Sequence, residues 1–484
     1  MKTSLALLTV LFLASSGAGA LAAATPEEAQ RLTAVFQAYL TAEPGVVSVT
    51  PAGDAYAVKI DAAPFFARNK EPGFSAAVTP FEFTLAGQGG GKWKFDQDQP
   101  ISYSFKADGS LDMNCTITSL KGTGIFDEAI GSFASQTADL TGMVCDETVT
   151  DKGAATKIGI SVASMHVDAT LTAAGDGADG SGKLTLTDFK ETVSTAAGEA
   201  AGSSPMDFTL AAPSLSEDFT VKGMKTRAIL ELVAWAVAHP GSDAIKAAQA
   251  EFKDKLRAVL PVFQNITGIV NMDKVTVGTM MGEAGIDKLG ITIEATGAVA
   301  DGHLREAFTV DGLRLPQGLL PPFAADLLPS HFVIDFNVSD YDLAAPAKLM
   351  LDNLDMSKEP QLPPEIEAQL TAAVMPKGSV TIGLGPSEVV AKLYDLKAEG
   401  SMTAGPASIP AGQATIMLKG LDEVMTAIQA APPEMGLQQA APVIIIAKGM
   451  AKAGADGTLT WIVESTPQGG VLVNGVDVTK MGGQ

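Results

Sequence analysis

The stretch from Gly175 to Leu186, GDGADGSGKLTL, has the glycine spacing of a phosphate-binding loop. Starting at Gly177 it matches the nucleotide-binding pattern as far as Lys183, but Leu184 stands where that pattern needs a metal-holding Ser or Thr. A phosphate loop is also followed by a helix whose N-terminus points at the phosphates, whereas the residues after the lysine alternate like a strand. We therefore predict that Gly175–Gly182 is a β-hairpin turn and that the chain binds no nucleotide.

Histidines are the side chains best suited to acid–base or metal chemistry near neutral pH, and the chain has four: His166, His239, His303 and His331. Their spacing fits no H-E-x-x-H or related zinc motif, and no G-x-S-x-G elbow supplies a nucleophile. His166 shares the parity of Asp168, which predicts a place on the polar side of a strand. His239 ends a predicted helix, where an imidazole suits the helix dipole. We therefore assign no catalytic residue, no metal ligand and no cofactor.

Carboxylates are the remaining candidates for chemistry. Asp96 and Asp98 stand two residues apart in FDQDQP and could face a cation, but a calcium loop also needs a glycine turn and a distal Glu. The two carboxylates of a glycosidase can lie far apart in sequence, so a hydrolase with dispersed acidic residues stays open as an alternative. Three tryptophans and five tyrosines provide little stacking surface for a sugar.

Two cysteines, Cys115 and Cys145, lie in stretches with strand-like alternation. An even pair in an exported chain usually forms a bridge, and closing a loop of about thirty residues would stabilise the fold by roughly 3–4 kcal/mol. The alternative is a redox-active pair, which would need C-x-x-C spacing or a cationic neighbour. We predict a structural disulfide between Cys115 and Cys145.

The N-terminus has the three parts of a secretory signal peptide. Lys2 supplies the positive charge, Leu5–Leu13 is apolar, and the small residues that follow place a cleavage site after Ala22 or Ala24. The alternative is a membrane anchor, but a spanning helix needs about 20 apolar residues and this run is much shorter. We predict a signal peptide at 1–24 and a periplasmic mature chain.

Charge and apolar runs limit the partners of that mature chain. Ile229–Ala238 contains Glu231 and Val443–Ala447 is too short, so no transmembrane segment is predicted after the leader. The formal net charge is −22, and removal of Lys2 with the leader makes it more negative. Such a charge repels phosphates, which excludes nucleic acid as a partner and disfavours anionic lipid headgroups.

Two kinds of periodicity organise the chain. The stretch after the leader predicts a helix that starts at Pro26. From Val46 to about Leu215 apolar and polar residues alternate, which predicts long antiparallel strands. Within Ile158–Leu171 the alternation changes parity near Ala163–Ser164, which predicts a β-bulge.

The second half mixes strands with helices and contains two similar segments. Lys222-Gly223-Met224 and Lys419-Gly420-Leu421 each join a strand pattern to a helix pattern, and a second helix and further strands follow each junction. This similarity predicts a duplicated module with copies at 206–340 and 378–484.

The predicted fold is α+β and β-rich, with long, curved antiparallel sheets and packed helix pairs. It comprises a β-rich N-terminal region, 25–205, and an α+β C-terminal region, 206–484. Within the latter, AILELVAWAVA is apolar on all sides except for Glu231, which is typical of a helix buried all round. The alternative is a helix that caps the concavity of a curved sheet and lines a groove for a lipid-like ligand.

These features, together with the C-terminal hairpin GTLTWIVESTPQGGVLVNGVDV, resemble the uncharacterised exported family of alphaproteobacteria that is classed as a domain of unknown function. The ending VLVNGVDV is also similar to that of an uncharacterised envelope family of gammaproteobacteria. The resemblance implies a Gram-negative periplasmic location, and it carries no catalytic residues to transfer.

The sequence alone does not identify a biochemical activity. Our first hypothesis is a non-enzymatic periplasmic or envelope-associated protein whose sheets and helices hold an apolar, lipid-like ligand or an envelope partner. The alternatives are a secreted hydrolase with dispersed acidic residues and a scaffold or interaction protein without a ligand.

Overall fold

The computed structural model describes residues 23–67, 73–107, 109–151, 154–195, 206–358, 363, 365–406, 408–432 and 436–479. The chain divides into two compact units: unit 1 is Met1–Asn265 with Leu354–Leu362, and unit 2 is Ile266–Asn353 with Pro363–Gln484. Almost all of the predicted signal peptide lies outside the described residues. The predicted domain boundary between residues 205 and 206 lies at the end of the segment 196–205, which is also outside the described residues. The signal peptide and this boundary therefore stay predictions.

Unit 1 is built on strands that lengthen along the chain. They are β1 (Val47–Ala52), β2 (Ala55–Ile60), β3 (Phe74–Val78), β4 (Phe81–Gly89), β5 (Lys92–Ala107), β6 (Leu111–Asp127), β7 (Ser132–Asp151), β8 (Ala154–Ala174), β9 (Gly177–Thr195) and β10 (Met206–Met224). From β4 to β10 each strand pairs antiparallel with the next. β1 pairs with β2, β2 with β4, and β3 with the second half of β5. The prediction of a β-rich chain with a long antiparallel sheet and some helices is confirmed.

The helices of unit 1 that the structure describes are α1 (Pro26–Tyr39), α2 (Ala63–Phe66), α3 (Thr226–Ala238), α4 (Ser242–Ala247) and α5 (Gln249–Val259). α1 begins as predicted, because the Thr25 side chain accepts a hydrogen bond from the Glu28 N–H and Pro26 occupies the first turn. Its buried stripe of Leu32, Phe36 and Tyr39 packs into a core with aromatic residues of β4 and β5.

A buried carboxylate lies beside this core. Glu128 is 8% exposed, and it accepts a hydrogen bond of 2.7 Å from the indole Nε1 of Trp93. Burial raises the pKa of Glu128, while the Trp93 hydrogen bond and the positive charge of Arg31 on α1 act in the opposite direction. The Arg31 guanidinium also lies over the Trp93 ring, 6.0 Å from its centre. These contacts fix α1 against the start of β5.

Unit 2 continues the antiparallel pattern with shorter strands. Its strands are β11 (Asn265–Thr279, starting at the unit boundary), β12 (Gly282–Thr296), β13 (Gly302–Asp311), β14 (Pro329–Tyr341), β15 (Val380–Ala391), β16 (Asp395–Gly405), β17 (Ser408–Lys419), β18 (Lys452–Ala453), β19 (Leu459–Ser465), β20 (Val471–Val473) and β21 (Val476–Asp477). From β12 to β17 each strand pairs with the next, β17 pairs with β19, and β19 pairs with β18 and β20.

The described helices of unit 2 are α6 (Pro322–Ala325), α7 (Ala344–Asn353), α8 (Glu365–Val374), α9 (Leu421–Gln429) and α10 (Ala441–Met450), with a 3-10 turn at Leu437–Ala440. A small core joins Leu421 of α9 to Trp461 and Val473 of the C-terminal hairpin. The Trp461 indole Nε1 donates to the Ala447 carbonyl oxygen at 2.7 Å. This bond holds α10 against β19.

The two Lys-Gly-apolar junctions both lie between a strand and a helix. Gly223 has φ +61° near the end of β10, and Gly420 has φ +81° between β17 and α9. A Cβ at Gly420 would overlap the carbonyl oxygen of Leu393. Glycine is therefore required at the second junction both for its backbone conformation and for space.

Candidate functional site

The glycine-rich stretch is a hairpin, but its turn is shorter than predicted. β8 ends at Ala174 and pairs there with Gly177, so only Gly175 and Asp176 form the reversal. The glycines further along lie within β9, where a Cβ at Gly182 would overlap the ring of Phe219 on β10. Those glycines are needed for packing rather than for turning. Since β9 continues as a strand to Thr195, the stretch lacks the helix of a phosphate loop.

The acidic residues of this hairpin bind a neighbouring part of the fold. Asp179 Oδ1 accepts a hydrogen bond from the Gly223 N–H at 2.9 Å, and its Oδ2 pairs with Lys222 Nζ at 3.0 Å. Asp176 forms an ion pair with Lys225. Both carboxylates therefore tie the hairpin to the junction between β10 and α3.

One side of β5–β9, here called the polar face, carries two cross-strand rows: Asp98–Lys121–Asp139–His166–Thr185 and Asp96–Thr123–Thr137–Asp168–Lys183. His166 lies between two aspartates, with Nδ1 2.7 Å from Asp139 Oδ1 and Nε2 2.7 Å from Asp168 Oδ2. The hydrogen bonds to Asp139 and then Asp168 raise the pKa of His166. Because both ring nitrogens have a carboxylate partner, neither is left to act on a substrate.

The candidate cation ligands of the polar face are paired with cations of the chain itself. Asp96 Oδ2 lies 2.7 Å from Lys94 Nζ and its Oδ1 accepts from Thr123 Oγ1, while Asp98 pairs with Lys121 at 3.2 Å. A shallow groove of about 330 Å³ runs over these residues. Within the described ranges no three His, Cys, Asp or Glu side chains are grouped so that they could hold a metal ion.

The other histidines lie apart from this row. His239 follows the last residue of α3, and its Nδ1 lies 2.8 Å from the Trp235 carbonyl oxygen, as expected for a helix end. In unit 2, His331 Nδ1 lies 2.6 Å from Asp311 Oδ1, and the backbone N–H of His303 donates to Thr296 Oγ1. Within each unit the two histidines have separate partners, and His303 and His331 lie at opposite ends of the β13–β14 pair.

The other side of the long strands, here called the apolar face, carries apolar side chains in register on successive strands. One row is Leu120, Leu140, Met165, Leu186 and Leu215, and beyond it lie Ile117, Met143 and Val162, then Tyr103, Cys115, Cys145 and Ile160. Most of these side chains are half-buried, and a few such as Leu140 are buried.

A transverse break in the sheet keeps these rows on one face. One residue in each strand from β6 to β10 is left out of the strand pairing, and these residues form the line Thr118–Gly142–Ala163–Asp188–Pro213. The pairing register is the same on both sides of that line. Two of its members have positive φ, Gly142 at +64° and Asp188 at +50°. In β6 to β10 the apolar positions change parity at this line, so a break of one residue in every strand returns them to the same face.

The prediction of a β-bulge in β8 near Ala163–Ser164 is therefore wrong in one respect. Relative to β7 and β9 the strand has no extra residue, because Met143↔Val162 and Thr141↔Ser164 share one register. The change of parity belongs to five strands together.

The predicted disulfide lies on the apolar face. Cys115 and Cys145 are direct partners on β6 and β7 and are bonded to each other. Both are buried, and the Tyr103 hydroxyl lies 3.7 Å from Cys145 Sγ. Burial raises the pKa of Tyr103. The bond fixes the register of β6 against β7 close to the transverse break.

The helix predicted to be buried all round is only partly so. Leu230 and Trp235 of α3 are buried, but Val233 is 41% exposed. Thr226 donates from Oγ1 to the Ile130 carbonyl oxygen, so α3 lies at the β6–β7 turn. An open groove of about 630 Å³ between α1 and α3 is lined mainly by small residues, among them Ala38. Within unit 1, α1 and α3 thus pack at the end of the long strands where β5 begins. α2 packs near the other end of β5, where the Phe66 ring lies 5.6 Å from the Phe105 ring.

Gln97 is the residue of this site that the sequence analysis missed. It faces the same side of β5 as Phe95, is 8% exposed, and its Nε2 has no hydrogen-bond partner among the described residues. The alternation of FDQDQP places Gln97 on the same side of the strand as Phe95, and this alternation could have identified it as an inward-facing polar residue.

In the described part of the chain, no helix is both long and apolar enough to cross a membrane. α10, which contains Val443–Ala447, has ten residues and exposes more than half of Val443, Ile445 and Ile446. No family model, no curated protein and no solved structure matches the chain.

Proposed function

We propose that this chain is a non-enzymatic, exported envelope protein that holds an apolar, lipid-like ligand against the apolar face of unit 1. The observation that carries the proposal is the row Leu120–Leu140–Met165–Leu186–Leu215, five large apolar side chains on five adjacent strands. α1 and α3 pack at one end of the strands and α2 packs on Phe105 near the other end of β5. Four of the five side chains of the row are only half-buried.

The energetics favour a cover for such a surface. Large contiguous apolar patches are rare on monomers and usually mark a binding site, and each square ångström removed from water contributes about 25 cal/mol. A ligand that lies along the row would bury the remaining area of all five side chains. Curvature of the sheet, which the transverse break would produce by bending each strand at one line, would bring the rows on either side of it around such a ligand.

Export is the second part of the proposal. A disulfide is typical of an oxidising compartment, and the resemblance to alphaproteobacterial exported proteins implies the periplasm. The Ala24 N–H donates to the Gly53 carbonyl oxygen and Ala24 packs on the core. Cleavage after Ala22 keeps these contacts and cleavage after Ala24 removes them, so we propose Ala23 as the mature N-terminus.

The duplicated module stays a proposal as well. It is supported by Gly223 and Gly420, which share a positive φ at a strand-to-helix junction. The copies would be 206–340 and 378–484.

The leading alternative is a hydrolase that uses the carboxylates of the polar face. Its groove contains Asp96, Asp98 and Asp139. Asp96 and Asp98 each pair with a lysine, and Asp139 pairs with His166. These pairings argue against a free acid or base in the groove. A ligand-free scaffold remains the third hypothesis.

The test is binding of an uncharged apolar reporter, N-phenyl-1-naphthylamine, to the full mature chain. Leu186→Gln places an amide in the apolar row, and Thr185→Gln places the same group on the polar face one residue earlier. We expect the wild type and T185Q to bind the reporter alike and L186Q to bind at least tenfold more weakly. Equal binding by the two variants would overturn the proposal, as would no binding by the wild type.

A further inference from the structure

Gln97 has an unpaired donor in a place where water does not reach it. Its Nε2 is buried without a partner in the part of the chain that the structure describes. Gln99, two residues further along β5, shows the contrast. Its Nε2 donates to the Pro80 carbonyl oxygen at 2.9 Å, and its Oε1 accepts from the Glu82 N–H. A buried donor without a partner costs folding free energy and calls for an explanation.

The position of Gln97 relates it to the apolar face. A Cβ built on Gly122 would lie 3.2 Å from the Phe95 ring and 3.5 Å from Gln97 Oε1, so both side chains extend over that glycine. In register, the row runs Gln97–Gly122–Ala138–Val167–Leu184 and lies next to the row of Leu120 and Leu140. Gly122 and Ala138, the next two members of the row, have its smallest side chains, so the row itself adds little bulk beside the amide.

We propose that Gln97 is the polar anchor of the apolar face, and that the ligand is an acyl chain with an uncharged carbonyl, an ester or amide of a fatty acid. The carbonyl oxygen accepts a hydrogen bond from Gln97 Nε2 while the chain lies over Leu120 and Leu140. Rotation about χ3 of Gln97, a soft torsion, turns the amide toward the ligand. Apolar sites commonly use one or two such polar groups to fix a ligand's orientation.

The surroundings favour a neutral acceptor over a charged one. The row that contains Gln97 carries no lysine or arginine as far as Leu184, and it reaches Glu217 on β10. The chain as a whole is strongly acidic. A free carboxylate or a phosphate would therefore meet like charge without a counter-ion, whereas an ester carbonyl brings an acceptor without charge.

The experiment compares two fluorescent probes of equal chain length, a pyrenyl alkane and a pyrenyl fatty-acid methyl ester, on the full mature chain. This inference rests on the proposed function, and the alkane separates the two. The wild type should bind the ester about five- to tenfold more tightly than the alkane, the range expected for one hydrogen bond. Gln97→Met removes the donor at similar volume, so Q97M should bind both probes equally while its alkane affinity is unchanged. Gln99→Met is the control and should keep the ester preference.

Each outcome decides the assignment. If Q97M keeps the ester preference, or if the wild type has none, Gln97 is not the anchor although the apolar face still binds. If the wild type binds neither probe, the proposed function fails and this inference fails with it. The melting temperature without ligand gives an independent check. Q97M should be at least as stable as the wild type, because the unpaired donor is gone, and a clear loss of stability would show that the amide serves the fold.

Discussion

The side chain of Asp179 accepts a hydrogen bond from the backbone N–H of Gly223, 44 residues further along the chain, at 2.9 Å. This bond attaches the β8–β9 hairpin to the junction between β10 and α3, and Lys222 forms an ion pair with the same carboxylate. The acidic residues of the glycine-rich stretch therefore stabilise a junction of the fold.

We expect Asp179→Ala to lower the melting temperature measurably, because it leaves the Gly223 N–H without its partner, and Asp176→Ala to lower it less, because Asp176 is 84% exposed. The Gly223 N–H and then Lys222 hold the pKa of Asp179 below its usual range. Its stabilisation is thus complete above the ordinary aspartate pKa of about 3.9 and is lost as the pH falls through the lower pKa of the folded state. Thermal melts at pH 7 and at acid pH would show the difference between D179A and wild type shrink, and a constant difference would contradict this.

Gly420→Ala tests the second strand-to-helix junction. An alanine with φ near +81° costs about 1–2 kcal/mol in backbone strain, and the added Cβ must also displace the Leu393 carbonyl. Gly475→Ala is the control, since Gly475 has φ +86° with no atom within 4 Å of the added Cβ. In urea denaturation G420A should lose at least about 1 kcal/mol more than G475A, which is within the usual range for backbone strain plus a steric clash. Equal losses would mean that the junction can move.

In the chain exported as we propose, the Cys115–Cys145 bond should be complete. The double variant C115A/C145A should lose roughly 3–4 kcal/mol of unfolding free energy, as expected for a loop of about thirty residues. Thiol labelling of denatured, non-reduced protein provides the direct measurement. Quantitative labelling of both cysteines would show that the bond is absent.

His166 should make stability depend on pH on the polar face. Asp139 and Asp168 raise the pKa of His166, so the paired imidazolium stabilises fully below the ordinary histidine pKa of about 6.5. That contribution is lost as the pH rises through the raised pKa of the folded state. Melting temperatures of H166A and wild type should therefore differ most below the ordinary histidine pKa and converge as the pH rises through the raised pKa of the folded state. The effect should be small, because the three groups are exposed, and a difference that grows with pH would contradict it.

Much of the fold follows from local pattern. Alternation predicts the long strands, and Pro26 in the first turn with the apolar stripe of Leu32 and Phe36 predicts α1. The bridge between Cys115 and Cys145 follows from their even number and from the absence of the C-x-x-C spacing of a redox-active pair. These properties depend on residues that are close to one another in the sequence, so they can be predicted from a single sequence.

Properties that depend on several strands at once were beyond that pattern. The parity change near Ala163 predicts a defect in β8 but not the matching breaks at Gly142 and Asp188, since their alignment depends on the register of the whole sheet. Likewise Gln97 and Gln99 are equivalent in sequence. Only the packing of β3 and β4 against β5 gives the second amide its partners and leaves the first without one.

The central claim is that the apolar face of unit 1 is occupied by a lipid-like molecule. Mass spectrometry of organic extracts from the full chain, purified from periplasmic material, tests this most directly. We predict about one apolar molecule per chain in the wild type and in T185Q, and a strongly reduced amount in L186Q. An extract of the wild type without a stoichiometric apolar molecule, or an equal amount in L186Q, would contradict the account.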